Sequence, residues 1–179
     1  MNPNIQLILG GARSGKSRFA LNQGDEEGLE PWVFIATASP GDGEMLERIG
    51  RHRAERPEKW RTLEEPYRLV EALAGSAVHG KGLVIVDCST LWLSNLLCGI
   101  GGKALSVPDI EIEISKLGQN LPRLSGNIRI ISNEVGLGIV PDHLLGRQFR
   151  DLQGFLNQSV ASIANQVILL TAGIPQKIK

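Results

Sequence analysis

Cysteine is scarce: Cys88 and Cys98 are the only two in 179 residues, and both sit in apolar surroundings without a paired spacing. That excludes a disulfide framework or a zinc site and leaves two buried free thiols in a reducing compartment as the expectation. An excess of one charge sign is missing too. Basic and acidic residues number 19 each, for a formal net charge of zero, so no overall field recruits nucleic acid or an anionic membrane. The N-terminus carries no basic region followed by an apolar one and a small-residue cleavage site, so no signal peptide is expected. The longest apolar region, Leu83 to Gly102, is interrupted by Asp87, Ser89, Thr90, Ser94, Asn95 and several glycines, which makes a poor transmembrane segment. No internal repeat or low-complexity tract appears. A cytoplasmic protein is expected, and any nucleotide binding must be local.

What is present is ordinary globular sequence, 42% apolar and 21% charged, long enough for one good core and too short for two ordinary domains. The expectation is a single domain over residues 1–179. Its centre is Gly10-Gly11-Ala12-Arg13-Ser14-Gly15-Lys16-Ser17, directly after the apolar run Ile5 to Leu9. This fits G-x-x-x-x-G-K-[ST], between a strand and a helical pattern, where phosphate binding requires it. Glycines let successive N–H groups curl into one concavity, and the following helix adds its positive end. Lys16 can reach the β and γ phosphates, and the Ser17 hydroxyl can hold Mg²⁺. The competing reading is a glycine-rich turn that binds nothing.

Beyond the loop, Ser17 to about Glu27 reads as a helix with Phe19, Ala20 and Leu21 inward, ended by Gly24 or Gly28. Trp32 to Thr37 is a run of β-formers whose exit, Ala36, Thr37 and Ala38, is expected beside the phosphate loop, because parallel sheets bind ligands at their carboxyl ends. A helix from Asp42 to Pro57 places Met45, Ile49, His52 and Arg56 on one stripe; spacing alone leaves His52 open between a histidine satisfied by a neighbour and a functional one. The charged segment from Arg53 to Arg61 has the usual reading of a solvated face. Tyr67 to Ala74 continues as an amphipathic helix. Leu83 to Asp87 is four apolar residues ending in a carboxylate, so a buried strand delivers Asp87 to the sheet edge, where it can hold Mg²⁺ opposite Ser17 or, alternatively, cap the helix starting near Thr90. A helix from Pro108 to about Leu124, a strand over Asn127 to Ser132, a helix from Asp142 to about Asn165 and a strand over Val167 to Leu170 complete the alternation. Between them, the loop Asn133 to Pro141 has two glycines and a carboxylate at a strand exit, which suits substrate-facing backbone or a plain connection. The class is α/β, a P-loop NTPase of RecA-like kind with a mainly parallel sheet and helices on both faces.

Several blocks together carry a resemblance. They are the phosphate loop, Ile35-Ala36-Thr37, Glu44-Met45 with Arg48-Ile49 and His52, Arg56-Pro57, Trp60-Arg61-Thr62 with Glu64, Val86-Asp87-Cys88 with Leu91-Trp92 and Asn95-Leu96-Leu97, Asn133-Glu134-Val135-Gly136 with Gly138-Ile139-Val140-Pro141, and Phe149-Arg150-Asp151. This combination resembles the bifunctional adenosylcobinamide kinase and adenosylcobinamide-phosphate guanylyltransferase family of cobalamin synthesis, from the first strand to Gly173-Ile174.

The resemblance implies two reactions. A nucleoside triphosphate, ATP or GTP, phosphorylates the aminopropanol hydroxyl of adenosylcobinamide, and GTP then donates GMP to that phosphate, releasing pyrophosphate. The second step passes through GMP joined to a histidine on the helix after the second strand, which implicates His52. Some family members have two adjacent histidines here, whereas this chain has Arg51-His52. The stripe favours His52 as acceptor, since Arg51 is turned about 100° away, and makes Arg51 a phosphate-binding or surface residue. Lys16, Ser17 and the loop backbone would bind the triphosphate. Ala36, Thr37 and Ala38, with Arg53, Ala54, Glu55, Arg56 and Glu64, would enclose the guanosine, and Asp87 would manage Mg²⁺. A ring-shaped oligomer, a trimer, is implied as well. Competing functions are a P-loop kinase of another small metabolite without guanylyl transfer, and a regulatory nucleotide switch, for which no downstream guanine-specifying signature is present.

Overall fold

The computed structural model describes residues 2–39, 43, 47, 50, 57–76 and 81–179. Its elements are β1 (Asn4–Gly10), α1 (Lys16–Glu26), β2 (Glu30–Ala36), β3 (Arg61–Glu64), α2 (Leu69–Gly75), β4 (Gly82–Asp87), α3 (Ser89–Cys98), α4 (Val107–Asn120), β5 (Asn127–Ile131), α5 (Leu144–Ile163), β6 (Gln166–Thr171) and β7 (Ile174–Lys177). One seven-stranded sheet runs in the order β3-β2-β4-β5-β1-β6-β7. All its pairings are parallel except the β6–β7 hairpin. The expected α/β P-loop architecture is therefore present.

Period-two alternation sorts the strand residues onto two faces. Ile5, Leu7 and Leu9 of β1, Val33 and Ile35 of β2, and Val84 and Val86 of β4 pack with α2 to α5. Ile8, Phe34, Ile85, Ile131 and Ile168 face the other way, toward Ala20 of α1 and Trp60. On α5, Leu152, Leu156 and Val160 recur at i, i+4 and i+8 and are buried, which is the helical stripe expected of a helix docked on one side. Trp92 of α3 is fully buried, and its indole N–H donates to the Tyr67 carbonyl at 2.8 Å.

Departures from expectation have local causes. Short strand β3, Arg-Thr-Leu-Glu, has only one apolar residue and was hidden in a charged stretch. The hairpin strand β7 is exposed at every residue and contains a proline, so neither alternation nor propensity announces it. The first helix does not stop at Gly24; it runs past to Glu26, and Gly28, at φ 64°, is the left-handed residue beyond it. Gly24 instead clears space, since a Cβ there would lie 2.7 Å from Leu83 Cδ2 and 2.8 Å from Arg129 Nη1. Arg129 needs that space: it is buried, donating to the Ala20 carbonyl at 2.6 Å and to Glu27 Oε2 at 2.7 Å. The expected helix to Leu124 ends at Asn120 and continues as a 3-10 turn over Leu121–Arg123. Of the two thiols expected to be buried, Cys88 is and Cys98 is exposed, at the last turn of α3.

The exits of β2 and β4 are tied by side chains. Thr37 Oγ1 donates to the Cys88 carbonyl at 2.7 Å and accepts from the Cys88 N–H at 2.9 Å. Asn95, buried on α3, donates to the carbonyls of Thr37 and Pro66, each at 2.8 Å. Replacing Asn95 by Ala strands the buried Thr37 carbonyl and the partly buried Pro66 carbonyl, so the N95A variant is expected to lose about 1–3 kcal/mol, read as an earlier urea midpoint with unchanged m-value.

Candidate active site

The loop between β1 and α1 is shaped by three backbone requirements. Gly10 has φ 152° and Gly15 φ 92°, and Arg13 is also left-handed at φ 56°. A Cβ on Gly10 would come 2.5 Å from the Leu170 carbonyl oxygen and 2.6 Å from Ser14 Oγ, so only glycine fits where β1 passes β6. Gly15 caps α1 without a side-chain hydrogen bond. The first helical bond is Phe19 N–H to the Gly15 carbonyl, so the N–H groups of Lys16, Ser17 and Arg18 head the helix with its positive end.

Lys16 is buried, and its Nζ donates to the carbonyls of Gly10 at 3.0 Å and Gly11 at 2.6 Å. Burial pushes its pKa down from 10.5, and the nearby Cys88 and Asp87 partly offset that. Asp87 ends β4 at the same carboxyl edge, with β5 standing between it and β1. The helix after Asp87 is capped by the Cys88 backbone, with no side-chain cap hydrogen bond; Asp87 therefore does not serve as the helix cap.

Ala36, Thr37 and Ala38 lie at the same carboxyl edge, but not beside the phosphate loop. Two strands, β4 and β5, stand between β2 and β1, and Thr37 packs against Asp87 and Cys88 through its N–H to the Asp87 carbonyl at 3.1 Å. The chain returns along the sheet through β4 only after the β3 excursion, which local patterning does not reveal. Glu64 ends β3, paired with Ala36. The remaining expected site residues, His52 with Arg51 and Arg53, Ala54, Glu55 and Arg56, lie outside the described residues, as do Glu44 and Met45; Gly43, Glu47 and Gly50 are helical and exposed.

The structure gives a place to the carboxylate expected at the β5 exit, Glu134, and adds three residues that the sequence reading did not single out, Ser132, Gln153 and Asn157. Glu134 leaves β5 with its N–H on the Gly10 carbonyl at 3.2 Å, and the Asn133 N–H reaches Thr90 Oγ1 at 2.8 Å. Behind them a buried polar cluster of Ser132, Gln153 and Asn157 connects α5 to the β5 exit. The available signal was two amides, Gln153 and Asn157, spaced i, i+4 beside Leu152 and Leu156 on a face that ought to be apolar. Among the described residues no group of three or more His, Cys, Asp or Glu side chains could hold a metal.

Comparison with known proteins adds the following. The family model described as cobinamide kinase / cobinamide phosphate guanyltransferase matches residues 6–178. The bifunctional adenosylcobalamin biosynthesis protein CobP of Pseudomonas aeruginosa is 47% identical over 97% of this chain and 96% of its own length. The corresponding CobU of Escherichia coli is 39% identical over 97% and 98%. Among solved structures, the ATPase domain of G40P covers 93% of this chain and 68% of its own, with 16% identity and a TM-score of 0.49, too distant to add to the sheet order itself.

Burial pushes the Cys88 thiol up to about 12, with Asp87 adding to the effect. At pH 8 a maleimide is therefore expected to label one thiol in the native protein, Cys98, and none in Cys98→Ser; two labels in the folded protein would contradict the site geometry.

Proposed function

We propose, because this chain belongs to the cobinamide kinase / cobinamide phosphate guanyltransferase family, that it carries out both reactions at the one phosphate loop. It is an enzyme that phosphorylates the aminopropanol hydroxyl of adenosylcobinamide and then transfers GMP from GTP to the resulting phosphate. The observation that carries the reading is the convergence of Lys16, the α1 N-terminus and Asp87 at the carboxyl edge of one sheet.

The loop would receive the β and γ phosphates of ATP or GTP on its N–H groups, with Lys16 shifting from its own carbonyls to the phosphate oxygens. Ser17 and Asp87 would hold Mg²⁺, which supplies charge neutralisation at the phosphates. The rest is positioning and electrostatic stabilisation by fixed donors, the mode suited to phosphoryl transfer. In the second half-reaction His52 would attack the α-phosphorus of GTP through a neutral ring nitrogen, pyrophosphate leaving, and the corrinoid phosphate would then take the GMP. Ala36, Thr37, Ala38, Glu64 and the segment Arg53, Ala54, Glu55 and Arg56 would surround the guanosine; a carboxylate such as Glu64 suits guanine N1–H and N2–H₂. Arg51 would bind phosphate or face solvent.

A cytoplasmic setting accompanies this chemistry; among the described residues no helix is long and apolar enough to cross a membrane. The assembly proposed is a trimer. The exposed Leu137, Ile139, Val140 and Leu144 after β5 supply apolar surface of the kind such an assembly uses.

Two measurements test the reading. Incubation with GTP labelled on the α-phosphate is expected to give an acid-labile protein adduct that vanishes in His52→Ala; an adduct persisting in that variant rules out His52 as acceptor. Lys16→Met is expected to slow phosphorylation of adenosylcobinamide by about a hundredfold or more, measured from corrinoid products by mass spectrometry.

A further inference from the structure

The reaction with the corrinoid hydroxyl leaves one chemical demand that the phosphate loop and Asp87 do not meet. An alcohol that attacks phosphorus must lose its proton, whereas the acceptor in the second half-reaction is already a phosphate anion. A proton acceptor is therefore needed in the first half-reaction alone.

Strand order identifies a candidate position. Because β5 lies between β1 and β4, whatever leaves β5 stands between the phosphate loop and Asp87. The residue there is Glu134. Its N–H donates to the Gly10 carbonyl at 3.2 Å, the same oxygen that receives Lys16 Nζ at 3.0 Å, so its backbone is registered to the loop lysine through one shared atom. The chain beyond it, Gly136 to Val140, is exposed, which leaves an approach open to a bulky substrate.

The side chain is held as carefully as the backbone. Glu134 Oε1 accepts from Asn157 Nδ2 at 3.2 Å, and the same amide nitrogen donates to the Asn133 carbonyl at 3.1 Å. Asn157 Oδ1 in turn accepts from Ser132 Oγ at 2.6 Å and from Gln153 Nε2 at 3.0 Å, and Gln153 Nε2 also donates to Ser132 Oγ at 2.8 Å. A carboxylate only accepts, so Asn157 must present its NH₂ to Glu134 and its oxygen inward. Gln153 must then present its own NH₂, and its Oε1, fully buried, is left without a partner. An orphaned buried oxygen is a cost that proteins normally avoid. Here it is what the hydrogen-bond direction demands if Glu134 is to be an anion. Among the described residues the partner of this carboxylate is a neutral amide, with no ion pair to a cation.

We propose that Glu134 is the proton acceptor for the substrate hydroxyl in the phosphorylation half-reaction, with Asn157 and Gln153 as its positioning residues. The alcohol oxygen bonds to the γ-phosphorus as the bond to the β,γ-bridging oxygen breaks. The nucleoside diphosphate leaves with that electron pair, and the hydroxyl proton passes to the Glu134 carboxylate and then to water. The assignment rests on the kinase reading of the preceding subsection.

The test separates the two half-reactions in the full-length protein. Glu134→Gln keeps the side chain's shape and an acceptor for Asn157, and a thermal melt matching the parent's checks that it folds. The expected result is a fall in kcat for phosphorylation of adenosylcobinamide by about a hundredfold or more with KM for the corrinoid little changed. GMP transfer to separately supplied adenosylcobinamide phosphate falls by less than about threefold, and Glu134→Asp recovers part of the lost kcat. Asn157→Leu is expected to lower the same kcat by a smaller factor and to change its pH profile. Phosphorylation by Glu134→Gln within about threefold of the parent, or an equal loss in both half-reactions, overturns the proposal. Absence of both activities in the unaltered protein overturns the kinase reading itself, and the assignment with it.

Discussion

The site depends on one crowded peptide, the one at Gly10. Its α-carbon passes so near β6 that a methyl group would meet the Leu170 carbonyl oxygen at 2.5 Å. Its carbonyl receives both the Lys16 ammonium and the Glu134 amide. A strand that ends under such constraint cannot drift, and the loop that follows inherits its position. The energetic worth of each bond is modest, about 1 kcal/mol net; their effect is to remove alternatives for the backbone that has to meet phosphate.

From Gly10 the same arrangement extends along the carboxyl edge of the sheet as a row of ties between successive strand exits. The turn after β6 donates from Gly173 N–H to the Ser14 carbonyl, Glu134 joins β5 to β1, and Asn133 joins β5 to Thr90 at the start of α3. Thr37 joins β2 to Asp87, and Glu65 joins the β3 exit to Ala36. The functional edge is therefore a continuous hydrogen-bonded rim, and Asn95 reinforces it from below by holding Thr37 and Pro66 together. These ties spend their donors on the protein itself; what they contribute is a fixed edge on which the phosphate-loop N–H groups are held, as suits phosphoryl transfer, in which fixed dipoles supply the stabilisation that water would otherwise reorganise to give.

The two faces of the sheet contribute unequally. On the α1 face the buried charge is Arg129, which is met by Glu27 and the Ala20 carbonyl and joins helix to strand. On the opposite face the intruders are the amides of α5, and their chain of hydrogen bonds ends on Glu134, at the rim. Buried polar groups that terminate at a site do something a merely structural pair does not: they transmit the required orientation of one side chain.

Much of this was legible in residues alone. The glycine spacing and the Lys16-Ser17 pair have few physical solutions other than a phosphate loop, and Asp87 closing an apolar run belongs to a buried strand exit. Short runs of apolar residues and β-formers placed β1, β2, β4, β5 and β6, and the helix expected from Asp142 to about Asn165 is α5, because each is a local signal the chain itself carries. Exposed strands β3 and β7 were not legible, since a strand defined by pairing rather than by burial has no pattern to show. What the sequence by itself determined is the chemistry available: which side chains could bind phosphate, hold a cation or face a core. Tertiary structure alone decided which of them meet. It set β4 and β5 between β2 and β1, so that Thr37 answers to Cys88 and not to the phosphate loop, and it brought the amides of α5 to Glu134 across more than twenty residues. Strand order and helix docking are settled by non-local burial and hydrogen-bond satisfaction, which no local spacing encodes.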